Sequence, residues 1–459
     1  MAAAVRPDAP KIIAPLFTLN VDDPAFTKGP EALQTITEDT HETESGDLSE
    51  DEGLLTDFVP LLISMKILGI GVSNVEDTSD EKKPRQGKCH VSLDFAWRAL
   101  LSIIILVYAS YFVIDQSRRA IAGDYIFTLD TISHAITILS ALVANLSISR
   151  SSATLGMMLR KLSEKSPRHT EKETHVFNMG SRIFFLAFGI WALQGLAIAS
   201  KLSRCHVRKS YGIKYDETSA DCLRGNDTIC VRPLSAVDIT QLAIRYSVLR
   251  CAIWMSMLFA FHTLLGIRLK LKNLNLSVFH CPIKRMDNEA LRSLRQSHNI
   301  LCRMIKLMDA TFGACVLFWY LHSVAEILAC ADQFIDFGVE DIWCVPFKVT
   351  VGVNIGFLLV AVAAVAEASH RVSQQARDTV VIVAQRSAEL PTYQPDIYEH
   401  INALLNSFRK EAVSIHCCRM WTLNRASGLV AFSSALLGVA SLVYARRTSR
   451  HFLESHVAL

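Results

Sequence analysis

Ionisable side chains set inside long apolar blocks are where this sequence could do chemistry, because an unpaired charge at membrane depth costs several kcal/mol and is retained for a reason. Four stand out, Asp130, Arg250, Glu326 and Glu367. Counted along their blocks with the N-terminus inside, Asp130, Arg250 and Glu326 fall toward the outer half. His134, Gln194, Trp254, Trp319, Tyr320 and His322 fall there with them. Aromatic walls with a few converging polar groups are what a small-molecule pocket requires, so these nine residues are the candidate ligand-binding set. The alternative is that Trp319 and Tyr320 pack between helices and the charges pair with one another. No nucleophile elbow, phosphate-cradling glycine loop or His-Glu-x-x-His pattern occurs, which argues against an enzyme. No two close cysteine pairs have zinc-ligand spacing, so neither a metal site nor a cofactor is expected.

These residues need elements to position them, and composition says what those are. Of 459 residues, 51% are hydrophobic and 20% charged, and the apolar ones are gathered in blocks. A helix needs about 20 apolar residues to cross a bilayer, with every backbone polar group satisfied within the segment. Seven stretches meet that test: 97–116, 125–148, 182–202, 246–269, 307–334, 347–370 and 423–445. The expected fold is therefore all-α, a multi-pass membrane protein with seven transmembrane helices. A net charge of +3 gives no concentrated basic face, so no nucleic-acid partner is expected.

Residues 1–53 are acidic and lack the basic and apolar regions of a signal peptide. They are expected to form a disordered cytoplasmic tail, followed by a membrane-surface segment and linker over 54–96. Helices 1–4 then occupy 97–269, a cytoplasmic helix 270–306, helices 5–6 307–370, cytoplasmic anchor helices 371–422, the last helix 423–445 and an extracellular tail 446–459. Lys and Arg concentrate after the second and fourth spans, which puts those loops and the N-terminus in the cytoplasm. The loop between the third and fourth spans and the C-terminal arginines run against that count. The sequon at Asn226 lies in that contrary loop, and its glycosylation requires the loop to face outward. The sequons at Asn145, in a membrane block, and Asn275, in a basic loop, are not expected to be used. Cys205, Cys222, Cys230, Cys330 and Cys344 lie in or near outer segments, where disulfides are permitted. Their odd number and unreadable connectivity leave free thiols as an equal reading.

Two cytoplasmic stretches carry helical periodicity. Leu291, Leu294, Ile300, Leu301, Met304 and Ile305 fall on one face over 287–308. The sixth span continues outward through Val372, Ala376, Val380 and Val383 to a break at Pro391 and Pro395. A second helix is expected over 396–421, with Asp396 as N-cap and Glu399 completing a capping box. Apolar stripes on these helices need partners within the chain, from neighbouring copies or on the inner lipid surface.

Met420-Trp421-Thr422-Leu423-Asn424-Arg425 and the glycine-containing apolar block to Tyr444 resemble the segment that opens the last helix of insect-type gustatory receptors, seven-helix chemoreceptor channels. Leu62 to Ile70, ending in Leu-Gly-Ile, is similar to that family's N-terminal membrane-surface segment. The resemblance implies a multi-pass plasma-membrane protein, a homo- or hetero-tetramer that passes cations, binds a small-molecule ligand and detects taste compounds. The last helix of each subunit would line the pore, here through Leu437, Val439, Ser441, Val443 and Tyr444. Val439 and Val443 suit an apolar constriction that gates by dewetting. One departure is plain. Leu437-Gly438 stands where the family has Thr-Tyr, and Tyr444-Ala445 where it has Gln-Phe. A G-protein-coupled receptor or a transporter is the alternative. The first would show an Asp-Arg-Tyr type triplet and an Asn-Pro-x-x-Tyr, and the second repeated halves and paired midplane charges.

Overall fold

The structure is a computed structural model that describes residues 53–70, 87–121, 128–163, 179–210, 236–280, 288–336, 345–388, 395, 398–399, 401–403, 406, 414–418 and 420–457. Ten helices are labelled here: α1 (Gly53–Ile67), α2 (Gly87–Ile121), α3 (Leu129–Arg150), α4 (Ser152–Ser163), α5 (Met179–Ser210), α6 (Ala236–Ala243), α7 (Cys251–His280), α8 (Asn288–Asp336), α9 (Val345–Ala388) and α10 (Arg425–Val457). A π-helical segment, Ile244–Arg250, joins α6 to α7 without a break. A two-strand hairpin, β1 (His416–Cys417) with β2 (Trp421–Thr422), precedes α10.

Among the described residues, six helices are long and apolar enough to cross a membrane. A seventh, α5, carries a shorter apolar run, Phe185–Ala199, because Arg182 and Lys201 bracket it. The helix over Ile239–His280 is the central one, with 78% of its most apolar stretch buried, whereas α10 buries 6%. A helix that is apolar all round belongs at the centre of a bundle, and α7 shows it with Trp254, Met255, Phe259, Leu264 and Ile267 all buried. The closest packing is of α3 on α8 and of α7 on α9, while α10 meets the protomer through α8 and α9.

Local signals set several ends. Thr128 caps α3, its hydroxyl accepting from the N–H of Thr131. α1 closes in a Schellman turn, in which the Ile70 N–H donates to Met65 O and the Gly69 N–H to Lys66 O. Gly69 takes φ +71°, and a Cβ there would meet Leu101 at 2.9 Å, so the residue answers both a conformational and a spatial demand. α1 is too short to span. It buries Phe58, Leu61 and Met65 and packs chiefly on α5.

At the end of the bundle where α7 finishes, α7 and α9 run on past the apolar spans and stay paired. Asn275 is part of α7 rather than of a loop. Its amide donates to Gln375 O at 3.0 Å, and its carbonyl accepts from Thr379 Oγ1 at 2.5 Å. Val278, Leu291, Leu294, Val383 and Ile401 make a second apolar cluster there. Asn145 is buried on α3. Asn226, Cys222, Cys230 and Cys344 lie outside the described residues, as do 1–52, which include nearly all of the acidic tail.

The helix expected over 396–421 does not hold throughout. Residues 398–399, 401–403 and 406 are helical, but His416–Thr422 is the hairpin. The cause is Asp309 on α8. Its carboxylate accepts the His416 backbone N–H at 2.5 Å and faces the His416 ring at 3.3 Å. Cys418, at φ +49°, donates its N–H to Gly313 O at 3.0 Å. The backbone here bonds sideways to α8 instead of to its own next turn, and burial pushes the Cys417 thiol up to about 12. A Cβ on Gly313 would sit 2.9 Å from His416 O. Gly313→Ala is therefore expected to lower stability by about 1–3 kcal/mol and to speed proteolysis within 414–424. Limited digestion of the purified protein checks this, and an unchanged cleavage rate would refute the clamp.

Candidate functional site

Three of the candidate ligand residues, Asp130, Arg250 and Glu326, build one polar network among α3, the π segment and α8. Arg245 donates from both terminal nitrogens to the two oxygens of Asp130, each at 3.0 Å, the bidentate geometry that makes such pairs strong. Five residues on, Arg250 is ion-paired with Glu326, and both side chains are almost completely buried. The second Glu326 oxygen accepts from Ser133 Oγ at 2.7 Å, and Cys330 Sγ lies 3.6 Å from the first. Tyr246 lies beneath both guanidiniums, at 4.2 Å from Arg250 and 5.9 Å from Arg245, a cation–π arrangement. In α-helical winding, residues five apart diverge by about 140°; i→i+5 bonding brings Arg245 and Arg250 over the same ring. Two carboxylates thus meet two guanidiniums and the network is neutral.

His134 lies beside this network on α3, with the Tyr108 hydroxyl 2.7 Å from its Nε2 and the Phe112 ring tilted against it at 4.6 Å. His322, one turn before Glu326 on α8, meets Thr137 Oγ1 with Nδ1 at 3.2 Å. Trp254 stacks on Phe357 at 4.4 Å, and Trp319 packs against Phe312 at 5.8 Å. The ions are thus paired with one another, as one of the two readings of the sequence holds.

What is left over is more informative for binding. Both amide atoms of Gln194, the Trp254 indole N–H, His322 Nε2 and the Asn354 carbonyl oxygen are buried and make no hydrogen bond with the described protein. Buried polar groups left so cost about 1–3 kcal/mol each, and a ligand or water that satisfies them recovers that cost. They belong to α5, α7, α8 and α9, and α5 packs on both the π segment and α9. Tyr320 stands apart. It lines a cavity of about 440 Å³ between α8, α9 and α10, on the other side of α8.

Residue type and depth alone did not point to Arg245, Tyr108, Ser133, Thr137 or Phe357. Arg245 was legible in principle as a cation five residues before Arg250, yet α-helical periodicity separates the two. Among the described residues no group of His, Cys, Asp and Glu is placed to hold a metal ion. Cys330 is buried beside Glu326 and Asn354, inside the bundle rather than in an outer segment. Cys205 belongs to α5.

On α10 the five candidate pore residues divide. Leu437 and Tyr444 are 72% and 74% exposed, and Ser441 is exposed between them. Val439 packs against the main core, and Val443 is half-buried. Gly438 accounts for the side chain absent at that position, since a Cβ there would lie 2.8 Å from Leu328 Cδ2 on α8.

Removing one partner of a buried ion pair leaves an uncompensated charge. Arg250→Met or Glu326→Ala should each cost about 3–5 kcal/mol and deplete folded protein from membranes. The double replacement Arg250→Met with Glu326→Met should recover much of that loss. Fluorescence-detected size-exclusion profiles read the comparison, and a double variant no better than the singles would contradict the pairing.

The family described as 7tm Chemosensory receptor matches residues 60–443. No curated protein matches the sequence. Among solved structures, the chain is similar to the insect olfactory receptor OR5 from Machilis hrabei in complex with eugenol, at 15% identity and TM-score 0.63, covering 86% of this chain and 100% of that one. It is also similar to the same receptor described without that compound, at 16% identity and TM-score 0.62, covering 86% and 99%.

Proposed function

The chain belongs to the 7tm chemosensory receptor family, and on that premise we propose that it is a gustatory-type, small-molecule-gated cation channel of the plasma membrane. Four copies, identical or mixed, surround a pore lined by α10. The observation that carries this reading is the exposure of α10. It is the least buried of the six long apolar helices, and its outward stripe alternates hydroxyls with larger side chains: Val430, Ser434, Leu437, Ser441, Tyr444, Thr448. Ser434, Ser441 and Thr448 each donate to the carbonyl four residues back, at 2.8, 2.8 and 3.0 Å. Their lone pairs stay available to water or a cation, and Leu437 and Tyr444 narrow the passage between them.

The ligand of this reading is small and largely apolar, with one or two hydrogen-bonding groups. Gln194, Trp254 and His322 offer unsatisfied buried donors and acceptors to it, and Asp130, His134, Arg250, Trp319 and Glu326 hold the helices around it. Tyr320 and its cavity lie between that set and α10. Asn226 is the proposed glycan site on the outer face. The solved neighbour named with eugenol is compatible with a ligand of this size.

The mass of the purified assembly should be four times the protomer's 51.0 kDa, and Leu437→Cys and Ser441→Cys should make whole-cell cation currents sensitive to a charged thiol reagent. Val439→Cys should not. Block through Val439 alone, or a monomeric particle, would remove α10 as the pore wall. A ligand screen on the same cells, with Gln194→Leu expected to raise the half-maximal concentration about tenfold, tests the ligand site separately.

A further inference from the structure

The cavity between α8, α9 and α10 has a composition that the ligand reading does not use. Its walls are apolar, formed by Tyr320 and Ile327 on α8, Leu358 and Val362 on α9, and Phe432 and Ala435 on α10. Its volume of about 440 Å³ lies within the roughly 300–1,000 Å³ of small-ligand pockets. One edge is charged. Glu367 and Arg425 line it, and Arg425 donates to both oxygens of Glu367 at 2.6 and 2.8 Å. Arg371, one turn beyond Glu367, donates to the same carboxylate at 2.5 Å, and Arg268 on α7 is within electrostatic reach of both Glu367 and Arg371.

Two guanidiniums therefore share one carboxylate, an excess of one positive charge at the mouth of an apolar chamber, and Arg268 adds to the positive potential nearby. Arg425 and Arg371 are half-exposed. Their remaining N–H groups make no further bond to a described residue, and a guanidinium has five donors to place. Under the N-terminus-inside orientation all three arginines stand where the fourth, sixth and seventh spans meet the cytoplasmic leaflet, which is the anionic one.

We propose that this chamber binds an anionic phospholipid from the cytoplasmic leaflet, with its phosphate on Arg425 and Arg371 and an acyl chain between α9 and α10. The charge complementarity selects the headgroup and the apolar walls accept the tail. Because α10 is held to the protomer mainly along α8 and α9, a chain lying in that seam sets how far α10 stands from α9. This site is separate from the buried polar network, and lipid binding to it does not require that the protein conduct.

The test is photolabelling of the full-length protein in phosphatidylcholine nanodiscs with a phosphatidylserine carrying a diazirine in its acyl chain. Adducts are expected within 358–366 or 428–435, displaced by excess unlabelled phosphatidylserine and not by extra phosphatidylcholine. Ala363→Phe, which fills the chamber from its rim, should abolish them. Arg371→Gln and Arg425→Gln should each lower the preference for phosphatidylserine by about fivefold, and the lysine variants should retain part of it. Equal displacement by phosphatidylcholine would overturn the proposal, as would labelling that survives Ala363→Phe. Displacement by inorganic phosphate alone would identify a free-anion site instead of a lipid site, and absence of adducts in the assembled protein would mean that a neighbouring copy fills the seam. The competition arm on the unaltered chain decides the matter even if a variant fails to fold.

Discussion

Everything at the end of this bundle that holds Arg250 depends on keeping two positive and two negative side chains out of lipid without leaving any of them alone. Arg250 and Glu326 do this in full burial, and Arg245 and Asp130 at the margin. The desolvation of each ion is offset only where its partner and the surrounding hydrogen bonds hold their geometry. That requirement ties α3, the π segment and α8 together. It explains the hydroxyls along α3: Ser133 completes the shell of Glu326, Thr137 meets His322, and Ser140 donates to Phe318 O at 3.1 Å. A neutral network of this kind is scaffold, although Nε of Arg245 and of Arg250 has no acceptor among the described residues. Gln194, Trp254 and His322, outside its ion pairs, also have hydrogen bonds still to offer.

The architecture was largely legible because the bilayer imposes a length and an apolarity that few other constraints imitate. That Asp130, Arg250 and Glu326 belong to long apolar helices was legible for the same reason, as was the likeness of Met420 to Tyr444 to the end of a chemoreceptor. Pairings were not. Which charge meets which depends on helix rotation, and rotation over 244–250 departs from the 3.6-residue period on which any sequence projection rests. The hairpin at His416–Thr422 escaped for a related reason. Its backbone partners are Asp309 and Gly313, more than a hundred residues away, and neither has a local signature. The candidate pore positions show the same limit at finer scale. Val439 and Val443 read as good constriction residues by type, but the contact of Gly438 with Leu328 turns Val439 inward and leaves Leu437, Ser441 and Tyr444 facing out.

The charge distribution separates the two ends of the bundle. At one end ions are buried in equal numbers. At the other, Arg371 and Arg425 share Glu367 beside an open apolar seam, and the imbalance is tolerated because both guanidiniums are half-exposed. Charge is thus neutralised inside the bundle at one end and left in excess at the start of α10 at the other.

The π segment also carries information about how this chain can change by descent. Its winding accommodates one residue more than an α-helix of the same rise, so loss of a single residue anywhere in 244–250 would let the segment relax to α geometry. The flanking α6 and α7 would then keep the faces they present, because the residue lost is the one the wider turn had absorbed. A deletion between Arg245 and Arg250 would leave the two four residues apart, about 40° from one another in α-helical winding, and both could still meet Asp130 and Glu326. A one-codon deletion within 247–249 is thus a change that the ion pairs can absorb, with the core of α7 left as it is.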